Sequence, residues 1–512
     1  MEIRKQQRAE AGDSPSLAKL GGMSSGARTN GTEIGLTTRV EMPGSQTGRE
    51  TGSANDSGSL QGLAVGTSRQ GNAEATNVTV AVNAEVGSGG LGSISEPDVG
   101  ILRPDSTVMP TTGVSGRFAQ RNPGGIPDLN SSVVVGTKPF RQRMARSEPG
   151  SSEATRTPGE ISIPTEKAIE LGLLFLRRNQ ESDGRWKLER FDAVDSEVQL
   201  RSDTAATGLA LLAFQGAGYH LHSKKHGDTI SAAIQFLIQN QRDSGELYVP
   251  NGDSSDRFCR LYSHGIAAIA ICEAYGMTQD PKLKEPAQKA IQYIVATQQS
   301  SRGGWRYDPG QSSDTSVTGW MVMALKSGQL AGIEVPPKVM KGVQKWLGLA
   351  QADESRSHLF RYNPFASEEQ KHGRTPSASM TAVGLLLRMY LGWDRSDVRL
   401  QHGADYMLET PPSLGFGSVT SRDTYYWYYA TQVFYHLGGE YWEKWYRQLY
   451  PLLLDSQVQS GVLAGSWDPQ RPVPDRWGSQ AGRIYVTTMN LLSLEVRYRI
   501  LPLYEDSAGI GR

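Results

Sequence analysis

Between Ile161 and Tyr504 one unit recurs six times: a helix ending in an aromatic-Leu pair, a loop of Gln, Gly and Trp, and a more apolar helix opened by a polar residue. The anchor aromatics Phe175, Phe236, Tyr293, Trp346 and Tyr406 stand 61, 57, 53 and 60 residues apart. No hairpin of this size buries its own apolar face, so the repeat restricts the chain to a solenoid or closed array in which each unit completes its neighbour. The clearest copies are Phe175-Leu176 with Gln180, Gly184 and Trp186, Phe236-Leu237 with Gln241 and Gly245, and Tyr293-Ile294 with Gln298, Gly303 and Trp305. The loops after Trp346-Leu347 and Tyr406-Met407-Leu408 depart from the pattern.

The second helices have a small or polar start and an apolar body. They are read at 203–214, 264–275, 314–325, 379–390, 423–434 and 485–496. Being apolar nearly all round, they are the expected buried set. The first helices, such as 165–178 and 284–298, carry charge on one face and are the expected outer set. Six inner and six outer helices are enough to close a ring. The fold class is therefore all-α: an α/α toroid of about six helical hairpins whose inner helix starts gather at one mouth.

Residues 1–158 differ sharply in composition. Phe118 is the first aromatic residue and Gly, Ser, Thr, Asn, Asp and Pro dominate. Such a segment cannot bury enough apolar surface to offset the roughly 1–2 kcal/mol per residue that ordering a backbone costs, so a disordered segment is expected. Two β-prone runs inside it, 78–82 and 133–135, are candidate binding segments. The domain plan is thus a disordered 1–158, a toroid at 159–505 and a disordered tail at 506–512.

Lys plus Arg and Asp plus Glu are 53 each, so nothing points to a nucleic-acid partner held by charge. Met1-Glu2-Ile3-Arg4-Lys5 has no apolar run after it, and no stretch approaches the ~20 apolar residues of a membrane span. A cytoplasmic location is the expectation. The two cysteines, Cys259 and Cys272, exclude a disulfide framework. Asp256, Cys259 and His264 lie close together but lack the second ligand cluster of a zinc site, so neither a metal nor a cofactor is expected.

The loops with Gln180, Gly184 and Trp186, and in looser form Gln299, Gly303 and Trp305, resemble the prenyltransferase and squalene cyclase repeat superfamily over 161–504. The resemblance implies a terpenoid cyclase-like α/α toroid in which Trp186, Trp305 and Trp467 hold the ring together by stacking and hydrogen bonding. It also marks departures. Cyclases of that superfamily carry an Asp-x-Asp-Asp acid motif, whereas Asp203, Asp314 and Asp423 each stand as single carboxylates in the corresponding settings. The prenyltransferase zinc motif is not reproduced by Asp256 and Cys259, whose spacing differs.

Aligned on their apolar bodies, the inner helices start with Asp203, His264, Asp314, Ser379, Asp423 and Tyr485. In a closed ring these side chains would circle one mouth. A histidine between two carboxylates has the chemistry of an acid/base group. Helix capping accounts for Asp and Ser at such positions, worth about 0.5–2 kcal/mol each, but not for His264 or Tyr485. The candidate catalytic residues are therefore Asp314, Asp203, His264 and Asp423. The candidate ligand-binding residues are Tyr426, Trp427 and Tyr429, from the aromatic run of the fifth inner helix, with Tyr485; their rings would line an apolar cavity and stabilise cations through their π faces.

Three functions fit these residues. The first is binding or isomerising an isoprenoid-like or other apolar small molecule in a central cavity, as a cyclase-like isomerase or a prenyltransferase-like transferase. A non-catalytic repeat scaffold, whose disordered N-terminus binds protein partners, is the second. The third is a carbohydrate-active toroid, which would need two carboxylates across the mouth.

Overall fold

A computed structural model describes residues 140, 143, 144, 163–195, 197–415, 422–500 and 503. Outer and inner helices alternate along the chain. The outer set is α1 (Ile163–Arg178), α3 (Gly227–Gln239), α5 (Pro281–Ala296), α7 (Pro337–Ala350), α9 (Val398–Leu408) and α11 (Gly439–Ser456). The inner set is α2 (Asp203–Gly216), α4 (Asp256–Thr278), α6 (Thr315–Ala331), α8 (Ala378–Tyr390), α10 (Thr424–Leu437) and α12 (Gly478–Leu494), followed by the single turn α13 (Val496–Arg499).

Packing closes the ring. Each inner helix lies against the next, and α12 returns to α2. Each outer helix from α3 to α9 lies against the two inner helices that flank it in sequence, while α11 packs on α10 and on α1, and α1 on α12 and α2. Composition drives the sorting: all fourteen residues of α2 are buried, against seven of sixteen in α1. The fold is thus the α/α toroid that the repeat implies. Among the described residues the extended structure is limited to three isolated antiparallel bridges, and no helix is long and apolar enough to cross a membrane.

The loops hold the hairpins together through a repeated set of ties. Gln180 Nε2 donates both to its own loop, at Gly184 O (2.9 Å), and to the next outer helix, at Thr229 O (2.9 Å). Gln241 does the same to Gly245 O and Pro286 O, and Gln298 to Gly303 O and Val339 O. Gln457 donates to Gly465 O (3.1 Å) and, across the seam, to Ala168 O of α1 (2.8 Å). The third tie is made by Gln298 rather than Gln299, because that loop is one residue longer. The four glycines have positive φ and press on the neighbouring helix; a Cβ on Gly465 would lie 2.1 Å from Leu171 O.

A second tie joins loop to inner helix. Thr207, Thr318, Thr381 and Thr487 each accept, through Oγ1, the backbone N–H of Trp186, Trp305, Phe360 and Trp467. The indoles of Trp186, Trp305 and Trp467 donate to the carbonyls of Leu176, Ile294 and Leu453 on their own outer helices. All three rings are buried, and a buried indole N–H needs such a partner.

The boundary at 158 differs from the sequence expectation at three residues. Phe140, Arg143 and Met144 are helical, and Phe140 (1% exposed) belongs to the toroid core with Met144 packed against it. Composition averages over such a short insertion and does not register it. The remaining residues of 1–158, including the runs 78–82 and 133–135, and the tail 506–512 lie outside the described residues.

The seam makes a direct test. Gly461 and Gly465 share one loop and both have positive φ, but a Cβ on Gly461 meets open space. Gly461→Ala should cost about 1–2 kcal/mol, the left-handed penalty alone. Gly465→Ala should cost about 3 kcal/mol or more, because the new methyl must also displace helix backbone. Equal midpoints of the two variants in guanidinium denaturation would remove the seam from the account of ring closure.

Candidate functional site

The amino ends of the inner helices meet at one mouth, but the residues that cap them are only partly those expected. Asp314 caps α6 by accepting Val317 N–H through Oδ1 (2.8 Å), and Asp423 caps α10 by accepting Tyr426 N–H (2.9 Å). Ser202 caps α2 and Ser377 caps α8, so Asp203 and Ser379 stand one and two places inside their helices. Tyr485 lies within α12, whose first N–H, that of Gly478, is held by Asp475 (2.6 Å).

His264 does not open a helix. Helix α4 begins at Asp256, and His264 is buried in its middle. Its Nδ1 accepts Leu247 N–H (3.1 Å) and its Nε2 faces Ala290 O (3.2 Å), which makes the ring a neutral donor and acceptor tying α4 to a loop and to α5. Burial pushes its pKa down to about 4. It occupies the place that threonine holds in other repeats. The acid/base role expected for His264 is corrected to a structural one, since both nitrogens are already engaged.

Asp203 and Asp423 are anchored to arginines. Arg185 Nη1 lies 3.0 Å from Asp203 Oδ2, and burial, with Glu189 nearby, still pushes Asp203 up to about 6 despite that guanidinium. Asp423 Oδ2 accepts from Ser379 Oγ (3.1 Å) and lies 3.7 Å from Arg476 Nη1.

Asp314 differs from both. It is 0% exposed, and although the Tyr362 hydroxyl is close enough to favour its ionised form, Oδ2 has no partner in hydrogen-bonding geometry. Burial pushes its pKa up to about 6, against the opposing pull of Arg306 and of the Val317 N–H. A bridge to Trp305 and the bond from Thr315 N to Tyr362 O fix the backbone on either side of it. Hydroxyls crowd around this carboxyl. Tyr307 and Tyr362 share a hydrogen bond (2.6 Å), and Ser316 Oγ accepts from Tyr262 (2.8 Å) and pairs with Tyr425 (2.6 Å). Burial is the largest cause raising the pKa of Tyr262, Tyr307, Tyr362 and Tyr425, and the Asp314 charge adds to it in each, ranking second in all but Tyr425, where hydrogen bonds that oppose the rise rank between the two.

Behind the hydroxyls the rings continue inward. Tyr425 packs on Tyr429 (5.0 Å), Tyr429 on Tyr428 (5.2 Å), and Trp320 stacks on Tyr428 at 5.6 Å and 13°. Tyr429 is thus buried among the rings of Trp320, Tyr425 and Tyr428, and Tyr485 is half-buried near Asp475 and Asp423. Tyr426 turns outward: its hydroxyl donates to Met407 O and its ring lies edge-on to Trp445, so the ligand-lining role expected for it is corrected. Trp427 is buried with an unpartnered Nε1. Tyr262, Tyr307, Tyr362, Tyr425 and Trp320 were not marked by the repeat; Tyr307 and Tyr362 stand in loops at positions no periodicity reaches. Among the described residues no group of His, Cys, Asp and Glu is arranged to hold a metal, and both cysteines are free thiols.

No family model matches the chain, and no curated protein does. Solved structures similar to it include the type II terpene cyclase MstE from Scytonema, at 14% identity and TM-score 0.42 over 65% of this chain and 97% of that one. The GH76A α-1,6-mannanase of Salegentibacter sp. HEL1_6 is similar at 13% identity and TM-score 0.45, over 65% and 98%. An α-amylase from Clostridium perfringens is similar at 10% identity and TM-score 0.43, over 65% and 97%.

The raised pKa of Asp314 has a thermodynamic consequence of definite sign. Folding binds its proton more tightly than the unfolded chain does, so its contribution to stability is fully present below about pH 4 and is lost as pH rises through about 6. Asparagine caps a helix as well as aspartate and carries no charge. Asp314→Asn should therefore gain roughly 2–3 kcal/mol relative to the wild type between pH 4 and pH 8. Denaturant titrations at the two pH values check it; a difference that does not change with pH would mean that Asp314 ionises as freely as an exposed carboxyl.

Proposed function

We propose that the toroid binds an isoprenoid-like apolar molecule at the mouth that holds Asp314, and that Asp314 donates a proton to a carbon–carbon double bond of it, leading to isomerisation or cyclisation. The observation that carries this reading is the buried carboxyl with one free oxygen under a set of tyrosine hydroxyls. A carboxyl with a pKa near 6 is substantially protonated in mildly acidic solution, as a general acid requires. After transfer, the carboxylate keeps the Val317 N–H on Oδ1 and the nearby positive charge of Arg306, both of which favour the anion. The cation left on the ligand would face the rings of Tyr425, Tyr429 and Trp320, whose π faces attract positive charge. Loss of a proton from a neighbouring carbon completes a step with no net redox change. The linked hydroxyls of Tyr262, Ser316 and Tyr425 offer that proton a path outward.

The fold resemblance noted in the sequence supports the same class of ligand, and the single carboxyl at Asp314 sets this chain apart from a complete Asp-x-Asp-Asp acid. Asp203 and Asp423, each already beside an arginine, are weaker candidates for the acid and for the paired carboxylates of a glycosidase.

Incubation of the full chain with squalene and shorter linear isoprenoids, followed by gas chromatography and mass spectrometry, tests the proposal. An isomerised or cyclised product is expected, at a rate that falls about tenfold per pH unit above about 6. Asp314→Asn should lower it by about 10²-fold or more with the fold retained, and Asp423→Asn by much less. Absence of turnover across the panel, or a product indifferent to Asp314→Asn, would leave the toroid as a non-catalytic scaffold.

A further inference from the structure

At the opposite end of the ring the carboxyl ends of the inner helices enclose a second group of buried charges, and one member, Arg143, precedes the first helix of the toroid in sequence. Arg143 (4% exposed) donates through Nη1 to Glu273 Oε2 (2.6 Å) and through Nη2 to Arg499 O (2.5 Å). Arg499 in turn donates to Glu273 Oε1 (2.9 Å) and to the Tyr428 hydroxyl (2.9 Å). Glu273 is thus shared by two guanidiniums, one 130 residues before it and one 226 after it in sequence. Burial alone would raise its pKa, but Arg499 and Arg143 outweigh burial and hold it below the usual glutamate range. Neighbouring Glu495 has no hydrogen-bond partner for either oxygen, and burial raises its pKa well above the usual glutamate range.

An apolar notch lies beside this group. The Phe140 ring sits on Gly276, where a Cβ would lie 2.3 Å from the ring, and Arg143 covers the same ring at 5.2 Å. Gly276 is inside the 23-residue helix α4 and does not have positive φ, so its own backbone does not call for glycine. A glycine there costs the helix about 0.5–1 kcal/mol relative to alanine. The seat it provides for Phe140 accounts for the choice. Phe118 and Phe140 are the two aromatic residues before Phe175, and Phe140 is fitted to a notch in the ring.

We propose that this end of the toroid is a docking site for a short segment that carries an aromatic residue and, three positions on, an arginine, and that Phe140 and Arg143 of this chain are its resident occupants. The site has two parts, a glycine notch for the ring and a fork formed by the Glu273 carboxylate and the Arg499 carbonyl for the guanidinium. A planar guanidinium satisfies both acceptors of that fork at once, which a lysine ammonium would not do in the same geometry. The segment closes this end of the ring from outside the repeat, and so it can leave without unpicking any of the loop ties.

Two measurements on the full chain test the docking. Trypsin should cut after Arg143 slowly in the wild type and at least tenfold faster in Gly276→Ala, whose methyl fills the notch while favouring the helix; equal rates would overturn the proposal. In the second, a fluorescein-labelled peptide of residues 136–148 is titrated into the full-length Phe140→Ala variant, whose own segment is weakened. Saturable binding is expected, with the peptide carrying Arg143→Ala bound at least about thirtyfold more weakly, the loss typical of a truncated buried charge pair. No binding, or equal binding of the two peptides, would overturn it. The trypsin comparison stands even where Phe140→Ala does not fold, and circular dichroism of Gly276→Ala establishes that faster cutting reports release of the segment and not unfolding.

Discussion

A glutamine amide that bonds two helices at once is the interaction on which the ring depends. Each such amide satisfies a loop carbonyl and a carbonyl near the start of the next outer helix, and the adjacent glycine lets the loop come within contact of that helix. Because the fourth of these amides, on Gln457, reaches Ala168 of the first outer helix, the same tie that propagates the repeat also ends it. A solenoid leaves two exposed faces at its ends. Here the final hairpin covers the first, and the apolar inner helices are enclosed on every side.

Closure gives the molecule two unlike ends. All inner helices run the same way, so one mouth collects free N–H groups and their capping oxygens, while the other collects carbonyl ends. Caps are cheap to supply with Ser or Asp, and both appear. At Asp314 the ring converts a cap into something costlier, because the surrounding tyrosines exclude water from an oxygen that no donor satisfies. Asparagine would cap the helix equally well without a buried charge. The carbonyl end meets the opposite problem and draws in arginines, one from α13 and one from outside the repeat.

Legibility varied with how local the determinant was. The alternation of charged and apolar helices was readable because burial of a whole helix leaves its mark on every residue, as in α2. The Gln and Gly ties were readable where loop length held; in the third loop, one residue longer, the sequence offered both Gln298 and Gln299, and Gln298 makes the tie. His264 misled because a polar stretch from Asp256 to Ser263 resembles a loop leading into a helix, whereas it forms two further turns of α4 that project past the apolar body. Tyr426 was misread because one step of 100° separates a ring that faces the centre from one that faces an outer helix, and the run of five aromatics contains no polar residue to set the phase.

The sequence alone determined the repeat, the sorting of helices into inner and outer sets, and the ring that follows from six units with no free apolar face; these rest on periodicity and on short-range loop chemistry. What surrounds each capping aspartate was decided only by tertiary structure. Asp314 and Asp423 are the same residue in the same capping position, yet Asp423 is paired with Ser379 beside Arg476 while Asp314 is sealed beneath tyrosines drawn from two helices and two loops. Desolvation is a property of what surrounds a group in space. No arrangement of neighbours along the chain can state it.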